Sequence, residues 1–146
     1  MDLSGLKWPA IIVVIVGLGW LFTSGGVNWM YGNLTAASPG IDEQQDLRDE
    51  AGLTSLAGYT YHIWKWRATI DIIETSVERY GEWGPNYYFN LERLSTCYER
   101  IGDQQTSYNI LRDLMDANAH EIDSRVGNND NLSMRAAKLR EMYELQ

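Results

Sequence analysis

From Trp8 to Phe22 the chain reads WPAIIVVIVGLGWLF without a charge, and uncharged sequence continues through Thr23, Gly25, Val27, Trp29 and Tyr31 to Pro39. Apolarity on every side, with no polar face, marks a helix surrounded by lipid. The strongly apolar part, Pro9 to Phe22, is short for a span. Extended to Met30 it gives ~23 residues, or roughly 34 Å, enough to cross ~30 Å of hydrocarbon. Pro9 suits a first helical turn, where its missing N–H costs nothing. A cleaved signal peptide competes, with Lys7 as its basic region and Thr35-Ala36-Ala37 as its cleavage site. A buried core helix is the other competitor. A retained anchor is preferred over both.

Beyond this run the pattern changes. Asn33 to Gly40 (NLTAASPG) is turn-rich. Asp42 to Glu50 (DEQQDLRDE) is charged, and is expected as an exposed turn of helix or a tether. From Leu53 to Tyr80 apolar residues recur at helical spacing: Leu53, Leu56, Tyr59 or Tyr61, Ile63, Trp66, Ile70, Ile73, Val77, Tyr80. Gly81 ends the pattern and Gly84-Pro85 forbids its continuation. Further helices are expected over Pro85 to Ile101, Gln104 to Ala119 and Asn131 to Leu145. Nothing alternates with period two for long enough to be a strand. The expected fold is all-α, with a transmembrane anchor over 1–32, a linker and acidic segment over 33–52, and a helical domain over 53–146.

The stretch Tyr88 to Glu121 resembles one tetratricopeptide repeat. Leu94-Ser95 take its large and small places, Tyr98 its aromatic place, Gly102-Asp103 its turn, Ser107 and Leu111 the small and bulky places that follow. Leu114 departs from the family's small residue and Ala119 from its usual proline. One period of about 34 residues upstream, Trp64 falls on the aromatic place, Ala68 and Ile72 on the small and bulky ones, Thr75 on the next small one and Tyr80 on the terminal one. Arg67-Ala68 replace the turn, so the upstream repeat is expected to be degenerate or its two helices to merge. The resemblance covers about residues 54–121, with Leu132, Met134, Ala137, Leu139 and Met142 as a capping helix. It implies stacked helical hairpins that bind another protein.

A formal charge of −8 argues against a nucleic-acid partner and against electrostatic docking on anionic lipid. In orientation, Lys7 precedes the apolar run, while Asp42 and Glu43 follow it before any basic residue. That places the N-terminus in the cytoplasm and the C-terminal domain in the periplasm. Cys97 is the only cysteine, so no intramolecular disulfide forms. It is expected as a small buried hydrophobe. His62 and His120 lack metal-ligand spacing, and the acidic run lacks a calcium-loop pattern. No catalytic site, cofactor or metal is expected, and the chain is read as not an enzyme.

The interface candidates are Trp8, Gly17, Gly19, Trp20, Trp29 and Tyr31 on the span, and Tyr59, Tyr61, His62, Trp64, Trp66 and Arg67 in the soluble part. Tryptophan and tyrosine gather at membrane surfaces and binding hot spots, and glycines let helices approach closely in lipid. YTYHIWKWR, residues 59–67, wraps too much of a helix to face one small core. The cluster Trp83 and Tyr87-Tyr88-Phe89 is expected as hairpin core. The functional expectation is a single-pass accessory or assembly subunit of a larger membrane complex. Bacterial respiratory and photosynthetic assemblies are the architectural analogy. Its partners would be other membrane subunits and the bilayer, with lipid or pigment contact at the span left open. The alternative is a tethered adaptor that recruits a soluble partner.

Overall fold

The computed structural model describes residues 7–35 and 39–144. Among them every regular element is helical: α1 (Lys7–Leu21), α2 (Ser24–Leu34), α3 (Glu43–His62), α4 (Trp66–Tyr80), a 3-10 turn (Gly81–Trp83), α5 (Tyr87–Ile101), α6 (Gln104–Asp116), α7 (Ala119–Ile122) and α8 (Asn129–Tyr143). The all-α expectation holds.

The continuous helix expected through Met30 is instead a bent pair. The Thr23 hydroxyl donates to Trp20 O at 2.6 Å and accepts from Gly26 N at 3.2 Å. One side chain thus serves the last turn of α1 and caps the first turn of α2. The two axes diverge by 79°, and among the described residues no single helix is long and apolar enough to cross a membrane. With 15 residues, α1 reaches roughly 22 Å. Glycine permits the sharp elbow: a Cβ on Gly26 would lie 2.5 Å from Leu21 Cα and from Trp20 O.

The two halves of the apolar run then have different surroundings. Val27 is buried, and Met30 and Tyr31 pack against the core of the helical domain. At ~100° per residue, Gly25 and Trp29 occupy the opposite side of α2. There the Trp20 and Trp29 rings meet with centroids 6.0 Å apart. So α1 departs from the face of α2 that points away from the domain. The C-terminal turn of α2 sits directly on α3, because a Cβ on Gly52 would collide with the carbonyl oxygen of Leu34. Gly52→Ala therefore forces backbone apart and is expected to cost about 1–3 kcal/mol, measured by urea unfolding.

Helices α3 and α4 form one hairpin, α5 and α6 a second, and their turns are built alike. In the first, Trp64 N donates to Tyr61 O at 3.1 Å and Lys65 N to Thr60 O at 2.9 Å. In the second, Gly102 N donates to Glu99 O at 3.3 Å and Asp103 N to Tyr98 O at 2.9 Å. Both are Schellman ends, with Trp64 and Gly102 in the left-handed position at φ 59° and 90°. Equivalent turn residues lie 38 positions apart (64 to 102, 65 to 103). The shorter upstream register is thereby corrected. Trp64 belongs to the turn rather than the first helix, Arg67 and Ala68 belong to α4, and the helices do not merge.

The first core joins α3, α4 and α5 through Leu53, Leu56, Ala57, Ile70, Ile73, Tyr80, Leu94 and Cys97. Burial pushes the Cys97 thiol up to about 11, the inert form expected of a buried cysteine. The second core joins α6, α7 and α8 through Leu111, Leu114, Ala119, Val126, Leu132 and Leu139. Leu91 and Ile110 touch both cores. The Thr60 and Thr69 hydroxyls bond each other at 2.9 Å inside the first hairpin, so neither is left unpaired.

Tyr98 ties α5 to α4 by donating to Glu74. Burial, then that hydrogen bond, pushes its phenol up to about 12. The ordinary value is near 10, so folding favours the protonated form. The contribution is whole below pH ~10 and is lost as pH rises through ~12. Unfolding free energy should fall over that interval, and Tyr98→Phe should flatten the decline.

The acidic segment is neither a solvated face nor a tether throughout. Asp42 caps α3 and Glu43 is exposed, but Asp46, Asp49 and Glu50 are buried. Each has a specific acceptor role. Asp46 accepts from Gly40 N at 2.9 Å, and Asp49 from Arg79 Nη1 at 2.9 Å and from the Tyr80 hydroxyl. Glu50 accepts from Asn86 N at 3.1 Å and Asn86 Nδ2 at 2.6 Å. Burial is tolerated because each carboxylate finds a partner, Gly40 before α3 for Asp46 and later residues for Asp49 and Glu50.

Candidate functional site

Every side chain from Trp8 to Trp20 on α1 is exposed. A Cβ added at Gly17 or Gly19 would meet nothing within 4 Å. This is an apolar rod in contact with its own chain only at the elbow. Seven of its aliphatic side chains, Ile11, Ile12, Val13, Val14, Ile15, Val16 and Leu18, are 47–70% exposed. Covering them is worth on the order of 10 kcal/mol, comparable to the stability of a whole domain. A surface this apolar requires a covering phase or partner.

Tyr31, an expected interface residue, is instead half-buried, with its hydroxyl accepting from Arg79 Nη2 at 3.4 Å. The bend at Thr23 turns it towards the domain. Trp29 remains exposed beside Trp20.

The cluster of residues 59–67 divides. Tyr59 packs on the core and on Phe22, ring centroids 6.0 Å apart. Tyr61 stands edge-on to Trp66 at 5.3 Å, and both pack on the core. His62, Trp64 and Arg67 face out. Trp64 is 76% exposed, and together with Lys65, Trp66, Arg67, Ala68 and Ile101 it lines a shallow depression. Arg100 adds its guanidinium 5.9 Å from the Trp66 ring centroid. Among the described residues Lys65, Arg67 and Arg100 make no ion pair.

Trp64 is the anomaly of this surface. A bulky residue in the left-handed conformation is strained by ~1–2 kcal/mol, and the exposed indole recovers little of that through packing. The same turn in the second hairpin uses glycine. Trp64→Gly should therefore raise the unfolding free energy by about 1 kcal/mol, seen as a later midpoint in urea.

The second aromatic cluster divides: Tyr88 packs on the second core, but Trp83 and Phe89 do not join the hairpin core. Trp83 is exposed and stands edge-on to Tyr80, and Phe89 lies between Arg93 and Arg125, each 4.6 Å from its centroid. Helical spacing does not reveal that cations rather than aliphatics cover Phe89. His120 Nδ1 lies 2.7 Å from Val126 O, a contact that fixes the loop after α7. Among the described residues no three His, Cys, Asp or Glu side chains gather closely enough to hold a metal ion.

The site that sequence reasoning missed is the polar knot of Asp49, Arg79, Tyr80 and Tyr31, which joins α2, α3 and α4. Burial, followed by the Asp49 hydrogen bond and charge, pushes the Tyr80 phenol above the ordinary tyrosine range. The cleavage alternative also has a structural cost. Thr35 is described and donates to Tyr31 O at 2.7 Å, while residues 36–38 lie outside the described residues. A cut after Ala37 would strip α2 from the core it covers.

No protein-family model matches the chain, and neither does any curated protein or solved structure.

Proposed function

We propose that this chain is a membrane-bound, non-catalytic accessory or assembly subunit of a larger membrane protein complex. Bacterial respiratory and photosynthetic assemblies are the architectural analogy. One observation carries the proposal: α1 is apolar on all sides and stands clear of the domain. A protein partner on one side would leave the other sides in water, whereas lipid covers the whole circumference. In this reading α1 is the membrane-inserted part of a broken span, and α2 lies where membrane and domain meet. At roughly 22 Å α1 crosses only where the bilayer thins around it; with Lys7 before the run and Asp42 and Glu43 after it, that crossing puts the N-terminus in the cytoplasm and the domain in the periplasm. Two consecutive helical hairpins with like-built turns support the tetratricopeptide-like reading, in which stacked helices present a surface to a neighbouring subunit, while their 38-position offset departs from that family's period of about 34.

The test is solubilisation in mild detergent followed by native electrophoresis and mass spectrometry of what accompanies the chain. Larger membrane subunits in fixed stoichiometry are expected. A stable solitary monomer contradicts the proposal. The tethered adaptor remains the second reading, favoured by the elbow at Thr23, which makes α1 a separate lever. A chain lacking residues 1–22 should still capture a soluble partner if it is an adaptor, and should lose assembly if it is a complex subunit.

A further inference from the structure

We propose that the α3–α4 turn is a headgroup-binding foot: Trp64, Lys65, Arg67 and Arg100 seat the domain on anionic lipid beside the point where α1 enters the bilayer. The inference rests on the reading of α1 as membrane-inserted.

Position is the first support. Phe22, at the elbow, packs on Tyr59, one turn before the end of α3. Val27 and Asn28, in the first turns of α2, share a groove with Ala68 and Asp71 of α4. The origin of α1 and the α3–α4 turn therefore lie at the same end of the domain.

Charge is the second support. The chain carries −8 overall, and its buried carboxylates gather near the start of α3, at the other end of that helix. At the turn, Lys65, Arg67 and Arg100 are cations without ion-pair partners among the described residues. The facing carboxylates are Asp71, Glu99 and Asp103. Glu99 is held by Arg135 at 2.6 Å, and Asp103 caps α6 through Thr106 N at 3.1 Å. Asp71 lies one helical turn from Arg67 without reaching it. An acidic domain beside an anionic surface is repelled unless its basic end turns inward, so the foot would also set the domain's orientation. Each basic residue near such a surface adds to the attraction.

Strain is the third support. An exposed tryptophan held in the left-handed position, where glycine would serve, has lost stability that only an external contact returns. Indole favours the headgroup level of a bilayer.

The test uses the full chain reconstituted in phosphatidylcholine vesicles, with and without one third phosphatidylglycerol, each doped with brominated lipid. Flotation reports insertion. The fluorescence difference between wild type and Trp64→Gly isolates Trp64. Its quenching is expected to rise at least twofold with phosphatidylglycerol. The gain should vanish in 0.5 M salt and in Lys65→Gln/Arg67→Gln/Arg100→Gln, while flotation and the remaining quenching stay constant. If the chain floats but Trp64 stays unquenched on both vesicles, the foot is overturned and the membrane reading survives. Quenching equal on both vesicles overturns the anionic specificity. Trp64 unquenched on vesicles but shielded in native membranes makes the turn a protein interface instead. Failure to float overturns both readings.

Discussion

A chain beginning at Thr23 is expected to be soluble and folded, whereas one beginning at Ile41 is expected to unfold or aggregate. The elbow separates α1 from the domain, so its removal exposes little of the core. Removal of α2 is different. It uncovers the surface under Val27, Met30 and Tyr31 and the close seat on Gly52. Burial of such side chains contributes about 1.5–3 kcal/mol each when complete. Partial burial of two of them brings the loss to about 3–5 kcal/mol. That approaches the whole stability of many small domains. Circular dichroism melts of the two truncations check it. Equal melting temperatures would mean that α2 is not part of the domain.

Arg79→Met is the second large effect. Asp49 is 3% exposed and has Arg79 as its salt-bridge partner. Its Oδ1 already lacks a hydrogen bond, while Oδ2 also accepts from the Tyr80 hydroxyl. Removing the guanidinium leaves a buried charge without compensation, which costs ~3–5 kcal/mol. It also cuts the link to the Tyr31 hydroxyl, so α2 should loosen together with the α3–α4 pair. Asp49→Asn added to Arg79→Met removes the stranded charge and still offers an acceptor to Tyr80. The double variant should recover at least half of the loss in urea unfolding. An undiminished loss would show that Arg79 acts by packing alone.

Much of the helical architecture was legible from spacing. Leu53, Leu56, Ile70 and Ile73 fall on one period and do form the first core. Gly102-Asp103 marks the second hairpin turn because glycine is the usual left-handed residue. The first turn escaped for the same reason: Trp64 occupies that conformation, and no residue-level rule finds a tryptophan there. The elbow escaped because Thr23 is uncharged and compatible with a span; only its double hydrogen bond makes it a break. Burial of Asp46, Asp49 and Glu50 escaped because their partners, Gly40, Arg79, Tyr80 and Asn86, lie up to 36 positions away. Among interface candidates, exposed Trp8, Trp20, Trp29, His62, Trp64 and Arg67 stand apart from half-buried Tyr31, Tyr59, Tyr61 and Trp66, a division set by tertiary packing rather than residue type.

The central claim is that the apolar N-terminal run is divided, with α1 belonging to the membrane and α2 to the domain. Hydrogen exchange on the full chain in vesicles tests it directly, with wild type and Arg79→Met compared residue by residue. Amides of α1 should be protected by lipid and indifferent to Arg79→Met. Those of α2 should lose protection in step with α3 and α4. Protection of α1 and α2 as one unit, unchanged by Arg79→Met, would contradict the account and restore a single continuous span.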